Sequence, residues 1–142
     1  VDTLVDLIVA ALDEGPAVLA CEYPLGEYQG VNVDGLDPLK VAALHSRLAQ
    51  REFDDVLADY QPVGEASPDG PWLVRLPAEL VMAAADIAPQ DIPEAAAAWA
   101  TTEPLRQDGW TALEAEKYLA RVSHFARQAA YDKKEVFLFL YN

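Results

Sequence analysis

The stretch Glu135-Val-Phe-Leu-Phe-Leu-Tyr141 constrains the fold of this 142-residue chain more than any other. Six consecutive β-formers leave no solvated side, whereas a strand with one wet face would alternate apolar and polar residues. The run therefore predicts a strand buried on both faces, in the middle of a sheet and tied into it rather than frayed.

The rest of the chain reads as helices and short strands separated by proline and glycine. Leu4, Val5, Ile8, Val9 and Leu12 recur at three- and four-residue spacings, which predicts an amphipathic helix from Asp2 to Glu14, stopped by Gly15-Pro16. Ala17 to Tyr23 predicts a short strand ended by Pro24, and Val31-Asn32-Val33 between glycine turns predicts another. Asp37-Pro38 is a helix start: the aspartate caps, and the missing proline N–H costs nothing at the first helical position. That helix carries Val41, Leu44 and Leu48, then Phe53, Val56 and Leu57, with a shift of apolar register at residues 50–52 that predicts a bend or break. Residues 61–71 predict a loop, and Trp72 to Leu76 a strand. A helix then opens at Pro77, and an Ala-rich helix capped by Asp91 runs from Ile92 to about Thr102, bounded by Pro104. Thr111 and Glu114 form a T-x-x-E capping box ahead of a long helix ending near Tyr131, with Lys133 and Lys134 at its C-terminal end. These elements predict a single α+β domain, 1–142, helix-rich, with a sheet of three or four strands that includes the buried C-terminal one.

Charge is the second constraint. The net charge is −14, and residues 1–71 hold 14 acidic against 3 basic residues, a net −11. Such a field repels nucleic acid and anionic membrane and attracts a basic partner. The 52 % of apolar residues supplies a core and sets the chain apart from disordered acidic segments. Cys21 is the single cysteine, which excludes an intramolecular disulfide and makes a reducing cytoplasm the simplest compartment. No apolar run reaches the roughly 18 residues of a membrane span. The opening segment has acids where a signal peptide carries a basic region.

No catalytic signature emerges. His45 and His124 each lack a second histidine at zinc spacing, and both read as structural or surface residues. Cys21 falls in a predicted strand next to Glu22, where negative charge works against a thiolate. Glu22, Glu27, Asp34 and Asp37 gather near glycine turns, but Asn32-Val-Asp34-Gly35-Leu-Asp37 lacks calcium-loop spacing. Neither G-x-G-x-x-G nor a Walker lysine motif occurs, and no cofactor is expected. Trp72, Trp99 and Trp110 fall near segment ends and are expected to close the core under loops.

The segments DGPWLVRLPAELV (69–81), AAAAWATTEP (95–104) and DGW (108–110), followed by a long helix into EVFLFLY, occur in a distinctive order. Over residues 69–141 the chain resembles small acidic bacterial proteins of the YfbM-like kind. The resemblance implies a closing helix-then-strand unit and carries no catalytic residues. Proteins of this size and acidity include immunity partners of secreted toxins, so it adds weight to a binding role. The resulting expectation is a non-enzymatic cytoplasmic protein that covers a basic partner, such as a toxin. The contact residues would be the acids Glu22, Glu27, Asp34, Asp37, Asp54, Asp55 and Asp59, with Tyr23 and Tyr28 as aromatic anchors. The alternative is a small metal-dependent hydrolase using the carboxylates of residues 22–37 with Cys21 or a histidine.

Overall fold

The computed structural model describes residues 4–141. Five strands form one antiparallel sheet: β1 (Leu4–Ala10), β2 (Gln29–Asn32), β3 (Pro62–Glu65), β4 (Trp72–Arg75) and β5 (Glu135–Tyr141), in the order β2-β1-β5-β4-β3. The apolar run 135–141 is thus the middle strand. Val136, Leu138 and Leu140 point to one face, where the helices lie. Phe137 and Phe139 point to the other, and all five are buried.

The sheet has one strand more than the upper expectation: β1 and β3 form where the sequence predicts a helix and a loop, and one predicted strand is helical. Leu4–Ala10 of the segment expected to be helical pairs with β5, from Leu4 opposite Tyr141 to Ala10 opposite Glu135, and Leu12–Glu14 forms a 3-10 turn. Val5, Leu7 and Val9 join the helical-side core, while Ile8 and Ala10 join the opposite one. A strand buried on both faces needs no alternation, so its 3–4 spacing of apolar residues carries no helical meaning. Asp2 and Thr3, the first residues of that expected helix, lie outside the described residues.

The next segment shows the converse. Ala17 to Tyr23, expected as a strand, lies mostly in a helix, α1 (Gly15–Ala20), with Pro16 in its first turn. Gly15-Pro16 is therefore a start and not a stop, since proline is at home where the amide has no helical acceptor. Cys21 caps this helix and is not a strand residue. Pro104, expected as a boundary, likewise opens a short helix, α6 (Glu103–Gln107). The expected loop 61–71 contains β3, an edge strand that tolerates Pro62 and has a register shift between Pro62 and Gly64.

The other helices are α2 (Pro38–Ala49), α3 (Phe53–Leu57), α4 (Ala78–Ala85), α5 (Ile92–Ala100) and α7 (Ala112–Asp132). Asp37 caps α2 through Lys40 N at 2.9 Å. The helix stops where expected, at Gln50, which takes a left-handed φ of 55°. Thr111 and Glu114 form the expected capping box on α7. Asp91 makes no side-chain cap on α5; it closes a 3-10 turn, Pro89–Asp91, that leads into the helix.

α7 is the backbone of the helical layer. Its face Ala115, Leu119, Val122, Ala126 and Ala129 is buried, and α4 and α5 pack on it. Trp99 of α5 is fully buried and donates its indole N–H to Lys40 O of α2 at 2.9 Å. Trp72 and Trp110 are half-buried and pack against the same core. Tyr118 and Arg121 of α7 reach the loop after β2 and the end of β2, donating to Asp34 O and Asn32 O at 3.0 Å each. The Arg121 contact also occupies a carbonyl at the sheet edge, one way in which an edge strand is kept from pairing with another chain. No helix among the described residues is long and apolar enough to cross a membrane.

Candidate partner-binding surface

The sequence-derived contact residues occupy three separate places. Glu22, Tyr23, Glu27 and Tyr28 lie in the connection from α1 to β2. Glu22 and Glu27 are exposed and Tyr23 is 75 % exposed, but Tyr28 is half-buried against the small core on the open side of the sheet. Burial first, then Glu14, Cys21 and Glu27, push the Tyr28 phenol upward.

Asp34 and Asp37 form the second group, and both hold the fold together. Asp34 Oδ1 accepts from Val5 N at 2.8 Å and from Asn32 Nδ2 at 2.9 Å. Asp37 caps α2 and meets Lys40 Nζ at 3.3 Å. Asp54 and Asp55, in the first turn of α3, are exposed, and Asp59 lies 4.0 Å from Arg51. This third group leads into β3, whereas the first leads into β2, and these are the two edges of the sheet. With four inter-strand spacings of about 4.8 Å, those edges stand roughly 19 Å apart.

The carboxylates of residues 22–37 do not converge. Among the described residues no group of three or more His, Cys, Asp or Glu is placed to hold a metal ion. The Cys21 thiol lies 3.3 Å from Glu27 Oε2 and from Ala17 O, and its pKa is raised by burial and by the Glu27 contact. That environment favours a thiol over a nucleophilic thiolate.

His45 is fully buried in a polar cluster that links α2, α4 and the turn after α3. Its Nδ1 lies 2.9 Å from Tyr60 Oη and its Nε2 lies 2.6 Å from Glu79 Oε1. The carboxylate on Nε2 makes that nitrogen the donor, leaving Nδ1 to accept from the tyrosine. Arg51 Nη1 donates to the same Glu79 oxygen at 2.7 Å. Glu79 is accordingly held below the ordinary carboxylate range, by Arg51 first and His45 second. Tyr60 is 5 % exposed, and burial pushes its phenol far upward. The Glu79–His45–Tyr60 chain thus ties α4 to α2 and to the turn after α3.

A concavity borders this cluster. A hollow of about 830 Å³ runs between the C-terminal half of α2, the turn into α3, and α5. A second hollow, about 380 Å³, adjoins it between α2 and α6, and Ser46, Arg47 and Phe53 line both. No known protein family, curated protein or solved structure matches the chain.

No sequence motif marks this groove. Its signal was the register shift at residues 50–52, which marks where α2 stops and the chain turns to form one wall. The floor residue Leu39 is 49 % exposed, although its spacing from Ala43 suggests an inward face.

Proposed function

We propose that the chain is a non-enzymatic binding protein of the bacterial cytoplasm that engages a basic protein partner, with neutralisation of a cationic toxin as its sharpest form. One observation carries this reading. Glu22, Glu27, Asp54 and Asp55 stand exposed and make no ion pair among the described residues. Carboxylates outside ion pairs keep much of their long-range field and steer a cationic partner before contact. The exposed Tyr23 between Glu22 and Glu27 supplies an amphipathic anchor of the type enriched at interface hot spots. The resemblance of residues 69–141 to YfbM-like proteins belongs to the same proposal, with that half acting as the scaffold.

The test takes the product of the adjacent gene as the first candidate partner and measures association by stopped flow at increasing salt. The rate is expected to fall at least about tenfold between about 20 and 300 mM salt, with little change in dissociation. The variants Glu22→Lys/Glu27→Lys and Asp54→Lys/Asp55→Lys are expected to slow association in the same way. A rate indifferent to salt and to these substitutions would remove the electrostatic basis of the reading.

A further inference from the structure

We infer that the groove between α2 and α5–α6 receives a basic amphipathic helix of a partner protein. The inference rests on the proposed basic partner and says where, and in what form, that partner docks.

The floor is apolar. Leu48, Phe53 and Pro104 are half-buried and Leu39 is nearly half-exposed, a continuous strip for leucine-sized side chains. The rim is acidic. Glu52, Asp91, Glu94 and Glu103 line the two hollows, all exposed, and none has an ion pair among the described residues.

Of the two arginines lining the groove, Arg51 is already held by Glu79 and Asp59. Arg47 is the one lining cation without an ion pair among the described residues, and it stands where the two hollows meet. Four uncompensated carboxylates against one guanidinium select a cationic ligand, with room for a single acidic group opposite Arg47. The C-terminal end of α2 also faces this space at Gln50, and helix C-termini favour positive charge.

The walls decide the ligand's conformation. They are α2, α3, α5 and α6 with their connecting turns, and no strand lines either hollow. An extended segment would find no sheet edge to take up its amides and carbonyls, whereas a helix satisfies its own. α2 has 12 residues, about 18 Å of helix, so the matching ligand spans three to four turns.

The probe is a fluorescein-labelled synthetic peptide of about 14 residues, with leucine at i, i+3, i+4 and i+7 and lysine elsewhere. A scrambled peptide of the same composition serves as the control. The periodic peptide is expected to bind at least about tenfold more tightly than the scrambled one. Its amide shift changes on the wild-type protein should centre on 39–53 and 91–107. Ala98→Trp, which fills the larger hollow without altering charge, should weaken binding at least about tenfold, and Glu22→Lys/Glu27→Lys less than about threefold.

Equal, salt-sensitive binding of both peptides, with shifts spread over the acidic half, would overturn the groove and leave the basic-partner reading standing. Absence of binding by either peptide would count against both. A dimer in solution whose dilution moves these same amides would overturn the inference by giving the groove to a second copy of the chain. The wild-type shift map decides the matter even if Ala98→Trp folds poorly.

Discussion

Lys40 offers the sharpest test of how this acidic chain holds itself together. The residue is 1 % exposed, and its ammonium meets Gly35 O at 2.7 Å, Asp37 Oδ2 at 3.3 Å and Asp108 Oδ2. Three donors thus meet three acceptors, and the charge lies 5.0 Å from the centroid of the Trp110 ring. Asp108 belongs to the turn between α6 and α7, so the contact clasps that turn to the start of α2. The gross attraction of such a contact is roughly 4–5 kcal/mol at an effective dielectric constant of about 20. Most of it is offset, because the ammonium has left water and the Asp108 side chain is 49 % exposed and screened. Asp108→Ala is therefore expected to cost about 1–2 kcal/mol, less than the roughly 3–5 kcal/mol of a fully buried pair. Lys40→Met keeps the volume and removes the stranded charge, and in that background Asp108→Ala should cost less than about 0.5 kcal/mol. Urea unfolding followed by tryptophan fluorescence measures all four proteins of the cycle, and the coupling should survive about 0.5 M salt because one partner is buried. A coupling below about 0.5 kcal/mol, or one abolished by salt, would show that water replaces Asp108 without loss and refute the clasp.

Asp6, Tyr60 and Gly30 carry three further expected outcomes. Asp6 is 5 % exposed and its carboxyl pKa is raised, chiefly by burial, so folding favours its protonated form and the wild type loses stability as pH rises through that raised value. Asp6→Asn should accordingly be about 1 kcal/mol more stable than wild type near pH 7, the gap closing toward acid pH; a gap independent of pH in thermal melts would contradict this. Tyr60→Phe leaves His45 Nδ1 buried with no donor and should lower stability by about 1–3 kcal/mol, read from the urea midpoint. A Cβ at Gly30 would lie 2.1 Å from Leu7 O and 2.9 Å from the Leu25 side chain. Gly30→Ala should therefore cost at least about 2 kcal/mol, and a neutral effect in chemical denaturation would mean the β1–β2 pairing yields easily.

The parts of the fold legible in sequence were those whose signals are local. Asp37-Pro38, the Thr111–Glu114 box and the break at residues 50–52 each involve side chains acting on their own backbone, and the structure has them in place. The errors lie where tertiary context overrides a local pattern. Leu4–Ala10 carries helical spacing but is claimed by β5, which needs a partner buried on both sides. Gly15-Pro16 marks a boundary in sequence without saying which side of it is helical. The candidate surface was harder still. Glu52, Asp91, Glu94 and Glu103 come from three stretches of chain that only the packing of α2 against α5 and α6 brings round one groove. Charge counted along the sequence drew attention instead to Asp34 and Asp37, whose oxygens are already taken up by Val5 N, Asn32 and Lys40.

The position of β5 also governs the order in which the molecule can come together. β1 and β2 form one antiparallel pair, β3 and β4 another, and the two pairs touch in the sheet only through residues 135–141. During synthesis both pairs emerge well before the strand that joins them, and α7 follows the other helices of the described residues. Until Glu135–Tyr141 arrives, Leu7, Ile8, Leu73 and Val74 have an open seam instead of a neighbour. Closing the sheet thus couples β1 to β5, a pairing of large sequence separation whose loop-closure entropy must be met before the contacts reward it.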